Sequence, residues 1–216
     1  MIRRYDSLNA DRALIFRITH LENLTWILEN GLYCRSSQEA DPEFVNIGNL
    51  DLIDKRHTRI VPIPPAGSFS DYIPFYFTPF SPMMYNIHTG YSGIRQRHNR
   101  EIVILAATLR DIDGQNLSYV FTDRHAYLAT AQFFSTLDDL DKIDWTIIQN
   151  RDFQRDLDDP EKTERYQAEA LIHQHLPVSQ LYGIVCFDDD IRANIQRNAD
   201  DLDLAANIVA RPNWYF

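Results

Sequence analysis

The feature that most constrains this chain is how its apolar residues are distributed. They fall in short runs of strand length among irregular stretches, with no regular alternation of strand and helix. Ala13–Ile18, Ile73–Thr78, Glu101–Leu109, Tyr119–Thr122, Glu169–His173, Leu181–Phe187 and Asn207–Arg211 read as strands, most clearly the Ile/Val/Leu-rich run at 101–109. Thr19-x-x-Glu22 is a capping-box signature, Leu21, Leu24, Ile27 and Leu28 share one helical face, and Gly31 is the natural stop. Ser81-Pro82 opens a second helix that Gly90 closes. Ala126–Leu140 and Asp190–Leu204 are helical by pattern. Ser36–Asp71 is rich in turn formers and predicts a long loop, which in a compact domain is usually functional or mobile. Asp152–Arg165 is charged, holds Pro160, and reads as a loop leading into a helix or turn. This pattern argues for an α+β fold rather than a doubly wound sheet. A length of 216 residues suits a single domain, 1–216.

With 44% apolar and 24% charged residues, the composition is that of a soluble globular protein. No apolar run approaches the roughly 20 residues that span a bilayer, so no membrane partner is expected. The start, MIRRYDSLNADRA, has two arginines but no apolar stretch behind them, which excludes a signal peptide and implies a cytoplasmic location. Cys34 and Cys186 are therefore expected as buried thiols. The net charge of -10 is uneven: residues 1–100 carry 11 Lys+Arg against 10 Asp+Glu, and the rest 10 against 21. Such a chain does not coat DNA non-specifically, because phosphate neutralisation needs clustered cations. Two local clusters remain: Lys55, Arg56, His57 and Arg59, and Arg95, Arg97, His98 and Arg100. Each reads either as part of a short basic groove or as a solvated loop.

Several familiar chemistries are missing. There is no GxGxxG, no Walker A loop, no GxSxG and no cysteine in a nucleophile setting. His173-x-His175 lacks a third ligand at metal spacing, so no metal is expected. Glu169 follows a polar stretch and precedes Ala170-Leu171-Ile172. On these residues alone it reads as a solvated strand end or a salt-bridge partner.

Seven segments in order change that reading: IFRITHLENLTWILENGL at 15–32, KRHTRIVPIPPAG at 55–67, DYIPFYFTPFSPMMY at 71–85, EIVILAATL at 101–109, FTDRHAYL at 121–128, ERYQAEALIHQHLP at 164–177 and the terminal WYF. Together they resemble the DarT family of DNA ADP-ribosyltransferase toxins over nearly the whole chain. The resemblance implies an ADP-ribosyltransferase-like fold, with two packed β-sheets around an NAD cleft and peripheral helices. It implies NAD as co-substrate, no metal, and transfer of ADP-ribose to a base, thymine or guanine, in single-stranded DNA. The implied catalytic residues are Glu169 and Arg56. Cleft contacts fall on Arg17, Thr19, His20, Asn23, Arg56, Tyr76 and Phe77, and acceptor contacts on Tyr166, Arg124, His125 and Met84. The roughly 15 residues before Glu169 become the acceptor loop. Arg17 stands where many transferases of this fold carry histidine, and Phe80 where some relatives carry arginine. A monomeric intracellular toxin or phage-defence effector, countered by a DarG-type macrodomain antitoxin, is expected. RNA or protein as acceptor, or a silent NAD- or nucleic-acid-binding module, are the alternatives.

Overall fold

The computed structural model describes residues 4–216; Ile2 and Arg3 of the N-terminal run lie outside the described residues. In chain order the elements are β1 (Leu14–His20), α1 (Leu24–Asn30), β2 (Leu32–Tyr33), α2 (Leu50–His57), β3 (Tyr72–Tyr76), α3 (Pro82–Thr89), β4 (Ile102–Thr108), α4 (Leu109–Gly114), β5 (Tyr119–Thr122) and β6 (Phe133–Phe134). They continue with α5 (Trp145–Gln149), α6 (Lys162–Tyr166), β7 (Glu169–His173), β8 (His175–Leu176), β9 (Gly183–Cys186), α7 (Asp189–Asp201) and β10 (Ile208–Ala210).

One ladder of eight strands runs in the order β10-β9-β4-β1-β3-β7-β5-β6, and β2 pairs separately with β8. The ladder is not uniform. β1 pairs with β4 at seven positions, from Leu14–Thr108 to His20–Ile102, yet meets β3 only at Phe16–Tyr76. β3 in turn pairs along its whole length with β7, from Tyr72–His173 to Tyr76–Glu169. The two expected sheets are thus two four-stranded halves that touch at one residue pair and then part. Beyond that pair the Arg17 guanidinium crosses the gap and donates to the Pro74 carbonyl at 2.9 Å. The cleft described below opens at this parting.

The central strand β4 is buried at every position, which explains why its sequence is a continuous apolar run. Phe75 on β3 and Phe77 just after it are fully buried. Phe77 packs edge-on against Phe121 at 5.5–6.1 Å scale contacts that include Trp145: 6.1 Å to Phe121 and 5.5 Å to Trp145 between ring centroids. Phe77→Ala is expected to cost about 3–5 kcal/mol of stability, read from urea denaturation. Both cysteines are buried free thiols, as expected. Among the described residues no helix is long and apolar enough to cross a membrane.

Two expectations fail for local reasons. Ala126–Leu140 is not a helix: it holds turns, the short β6 and a 3-10 segment at Leu137–Lys142. The Gln132 N–H that a helix would pair internally goes to the Asp123 side chain, and the Ala126 N–H at the start of the stretch goes to Glu169. Conversely, α2 lies inside the stretch expected to be loop. Asn49 caps it, accepting from Leu52 N–H at 3.0 Å, but no residue of α2 is buried, so it carries no apolar stripe to read.

Candidate active site

Glu169 is the first residue of β7 and is fully buried. Its backbone N–H donates to the Thr122 hydroxyl at 3.2 Å, which fixes the strand end against β5. Three chain segments converge on its carboxylate. Arg56, in the last turn of α2, donates from one guanidinium nitrogen to Oε2 at 2.6 Å and from the other to Oε1 at 3.3 Å. Ala126 N–H donates to Oε1 at 3.0 Å, and His125 Nδ1 lies 3.0 Å from the same oxygen. The same Nδ1 accepts from Tyr127 N–H at 3.3 Å.

Burial alone would raise the Glu169 pKa, but Arg56 and then His125 outweigh it and pull the carboxyl down to about 2. Burial would likewise lower the Arg56 pKa; Glu169 more than offsets it, and the guanidinium is held above its usual value. The pair is therefore fully ionised at neutral pH although nearly dry: the side chains are 14% and 1% exposed. The Arg56 guanidinium also lies over the Phe69 ring, 5.2 Å from its centroid.

Tyr76 is the register partner of Glu169 and the last residue of β3. Burial, reinforced by Glu169, pushes its phenol well above the usual range, so it stays a neutral donor. Arg56 and Tyr76 line a cleft of about 400 Å³, whose walls include Arg17, Trp26, Tyr33 and Asn49. Arg17 reaches the cleft from β1. Its Nε is buried without a hydrogen-bond partner among the described residues, and burial lowers its pKa to about 10. A cation so poorly compensated suits an anionic ligand group. Asn23, expected at the cleft, is buried and does not line it: it donates to the Thr19 hydroxyl at 2.9 Å and the Val45 carbonyl at 3.0 Å, and accepts from Val45 N–H at 2.8 Å.

The structure brings together Arg17, Thr19, Arg56 and Tyr76 at the cleft, with Glu169 behind Arg56. Other expected residues face elsewhere. His20 is buried and caps the turn after β1, accepting from Glu22 N–H, with its other nitrogen 3.4 Å from Arg97. Adjacent strand residues point to opposite faces, so a strand that turns Thr19 to the cleft turns His20 away. Phe77 faces the core for the same reason, one residue past Tyr76. Met84 is buried in the core on α3 and presents no side chain to an acceptor. Tyr166 is fully buried, its hydroxyl donating to the Phe80 carbonyl at 3.1 Å, and it packs beneath the acceptor loop. Arg124 is committed to Asp123 at 3.1 Å and Glu161 at 2.9 Å. His125, expected at the acceptor, sits on Glu169 itself. The Ala126 N–H and the Trp26–Tyr33 wall were not expected; a backbone donor carries no side-chain signature.

A buried, ionised carboxylate beside a fixed guanidinium, at a cleft between two half-sheets, can steady a cationic centre while hydrogen-bonding a ligand hydroxyl. The chain resembles the curated "DNA ADP-ribosyl transferase" of Escherichia coli O127:H6 (strain E2348/69 / EPEC), 49% identical over 210 residues covering 97% of this chain and 96% of the relative. It resembles that of Thermus sp. (strain 2.9) at 32% identity, covering 94% and 95%. Its fold superposes on Thermus sp. 2.9 DarT solved in complex with ADP-ribosylated ssDNA, with a TM-score of 0.88, 29% identity and 100% of both chains covered. The same protein solved with NAD+ gives 0.80, at 29% identity over 95% of this chain and 98% of the other. Fold and site thus define an ADP-ribosyltransferase. Residues 16–216 match the family model described as "DarT: ssDNA thymidine ADP-ribosyltransferase, DarT", and the chain belongs to the DarT family.

Proposed function

We propose that this chain cleaves NAD and transfers the ADP-ribose to a base of single-stranded DNA. The observation that carries the reading is the dry, ionised Glu169–Arg56 pair at the cleft. In the reaction the nicotinamide–ribose bond breaks, its electron pair leaves with nicotinamide, and a base nitrogen bonds to the ribose C1″ as the base loses a proton. Positive charge builds on the ribose ring. Glu169, hydrogen-bonded to the 2″-hydroxyl, stabilises that charge as a preorganised anion. Arg17, with its uncompensated guanidinium, is the cation for the pyrophosphate. Tyr76, a neutral phenol beside Glu169, closes the nicotinamide side. His125 and Ala126 N–H keep the carboxylate charged and oriented.

Arg56 acts electrostatically, stabilising the base as it loses its proton. Proton abstraction by a guanidinium requires a strongly lowered pKa, and contact with Glu169 moves it the other way. The acceptor is unpaired DNA, since the ring nitrogen is blocked in a duplex. The family description favours thymine as the base. A cytoplasmic toxin acting as a monomer and held in check by a DarG-type macrodomain antitoxin completes the reading.

The test is incubation with NAD and matched oligonucleotides carrying thymine or guanine as the single variable base, as DNA and as RNA, read by mass spectrometry. An ADP-ribose increment on thymine-containing single-stranded DNA is the expected result. Modification only of guanine would correct the base. NAD consumption without a DNA adduct would move the acceptor to RNA or protein, and no consumption by a folded protein would leave a binding module.

A further inference from the structure

The segment before Glu169 poses an electrostatic problem. Residues 151–166 contain six carboxylates, Asp152, Asp156, Asp158, Asp159, Glu161 and Glu164, against four cations. A loop so acidic repels the phosphates of the strand it is meant to receive. The structure cancels much of that charge internally. Lys162 is only 8% exposed and donates to Asp152 at 3.0 Å and Asp156 at 3.3 Å, across six to ten residues of the loop. Arg165 binds Asp159 through two nitrogens, at 2.6 and 3.0 Å, and reaches Asp144 at 3.2 Å. Arg124 takes Glu161 from outside the loop at 2.9 Å.

These pairs also give the loop a shape. Phe153 anchors its start against Tyr166, 5.2 Å between ring centroids. Lys162 draws Asp152 and Asp156 back toward α6, which leaves Leu157 86% exposed at the tip. The Asp156 and Asp159 carboxyls both lie below their usual range, Asp156 held by Asp158 N–H and Lys162, Asp159 by Arg165. The far end of the loop is fastened to the catalytic segment, because His125 N–H donates to the Glu164 carbonyl at 2.9 Å.

We infer that Lys162 is a positioning residue for the nucleic-acid acceptor: it folds the loop at 152–162 into a preassembled, charge-cancelled platform beside Glu169. The inference rests on the transferase reading given above. Lys162 touches neither cofactor nor acceptor; it acts through the loop. Its loss therefore separates the two substrates. It weakens acceptor binding, by loop disorder and by added negative charge, and leaves the NAD cleft intact.

The experiment measures KM for a single-stranded oligonucleotide, kcat, and NAD affinity by calorimetry for wild type, Lys162→Met, Lys162→Arg and the partly exposed Asp156→Asn, with thermal melting of each. In Lys162→Met the oligonucleotide KM is expected to rise about tenfold, with NAD affinity within about twofold of wild type. Lys162→Arg restores most of the loss, and Asp156→Asn gives a smaller rise without a change in fold, because losing the Lys162 contact loosens the loop while the removed negative charge offsets part of the effect. An unchanged oligonucleotide KM in Lys162→Met and Asp156→Asn overturns the inference. So does a parallel fall in NAD affinity that Lys162→Arg fails to rescue, which marks a structural role only. A wild-type protein that consumes NAD but labels no DNA overturns the DNA-acceptor reading, and the inference with it.

Discussion

Glu169→Gln lowers the rate of transfer on the order of 10³-fold, the scale of losing a preorganised charge at a reacting centre. The substitution keeps the shape of the side chain but removes the anion, so the developing positive charge on the ribose faces a neutral amide. It also brings an N–H₂ group toward donors, since Arg56 and the Ala126 N–H both present protons to this position. Stability falls as well. Removing one member of a buried ion pair typically costs about 3–5 kcal/mol, because the other charge is left uncompensated. The pH dependence carries the same information. The folded carboxyl titrates at about 2 against an ordinary value of 4.5, a depressed pKa, so its contribution is complete above the ordinary value and is lost as pH falls toward about 2. That contribution is on the order of 3 kcal/mol. Melting temperatures of wild type and Glu169→Gln should therefore differ at pH 7 and converge as acid is added. A variant keeping more than a tenth of wild-type transfer would remove Glu169 from the chemistry.

Arg56→Ala produces a different signature, although its loss in rate is on the order of 10²–10³-fold. Burial pushes the Glu169 pKa up, and Arg56 is the largest influence holding it down. Without the guanidinium, only His125 and the Ala126 N–H oppose desolvation, and the carboxyl titrates closer to neutrality. The wild-type rate should show no acid limb from Glu169 above pH 5; Arg56→Ala should acquire one, with transfer rising as pH increases and the carboxylate forms. Arg56→Lys separates the two roles. A point charge restores ionisation of Glu169, so the acid limb retreats, but an ammonium lacks the fork that spans both carboxylate oxygens, so the rate stays depressed. Rate–pH profiles of the three proteins decide the matter. Identical profiles in wild type and Arg56→Ala would show that Glu169 is charged independently of Arg56.

Much of the fold was legible because its strands are short and nearly fully buried. The run at 101–109 announced β4, and Ala170-Leu171-Ile172 announced β7. The helix expected at 126–140 was not legible as a loop, since its backbone donors are claimed by Glu169 and Asp123, residues distant or off-pattern in sequence. α2 was missed for the opposite reason, having no buried face. The site residues divide along the same line. Glu169 and Arg56 were placed by the resemblance, and the geometry joins them at 2.6 Å across 113 positions of chain. His20 and Phe77 each stand one residue from a cleft-facing neighbour, and a step of one reverses the face of a strand. Tyr166 and Met84 have aromatic or thioether side chains that suit stacking on bases equally well as packing in a core; only burial separates the two uses.

A carboxylate offers about four lone-pair positions. In Glu169 two donors from Arg56 and one from Ala126 fill three of them, and His125 Nδ1 stands 3.0 Å from Oε1. A sugar hydroxyl that reaches this carboxylate competes with these neighbours, and of them only the Arg56 contacts come from an element with no buried residue of its own. A ligand hydroxyl that took the place of Arg56 would free the guanidinium, so that filling the cleft and releasing Arg56 would be a single exchange.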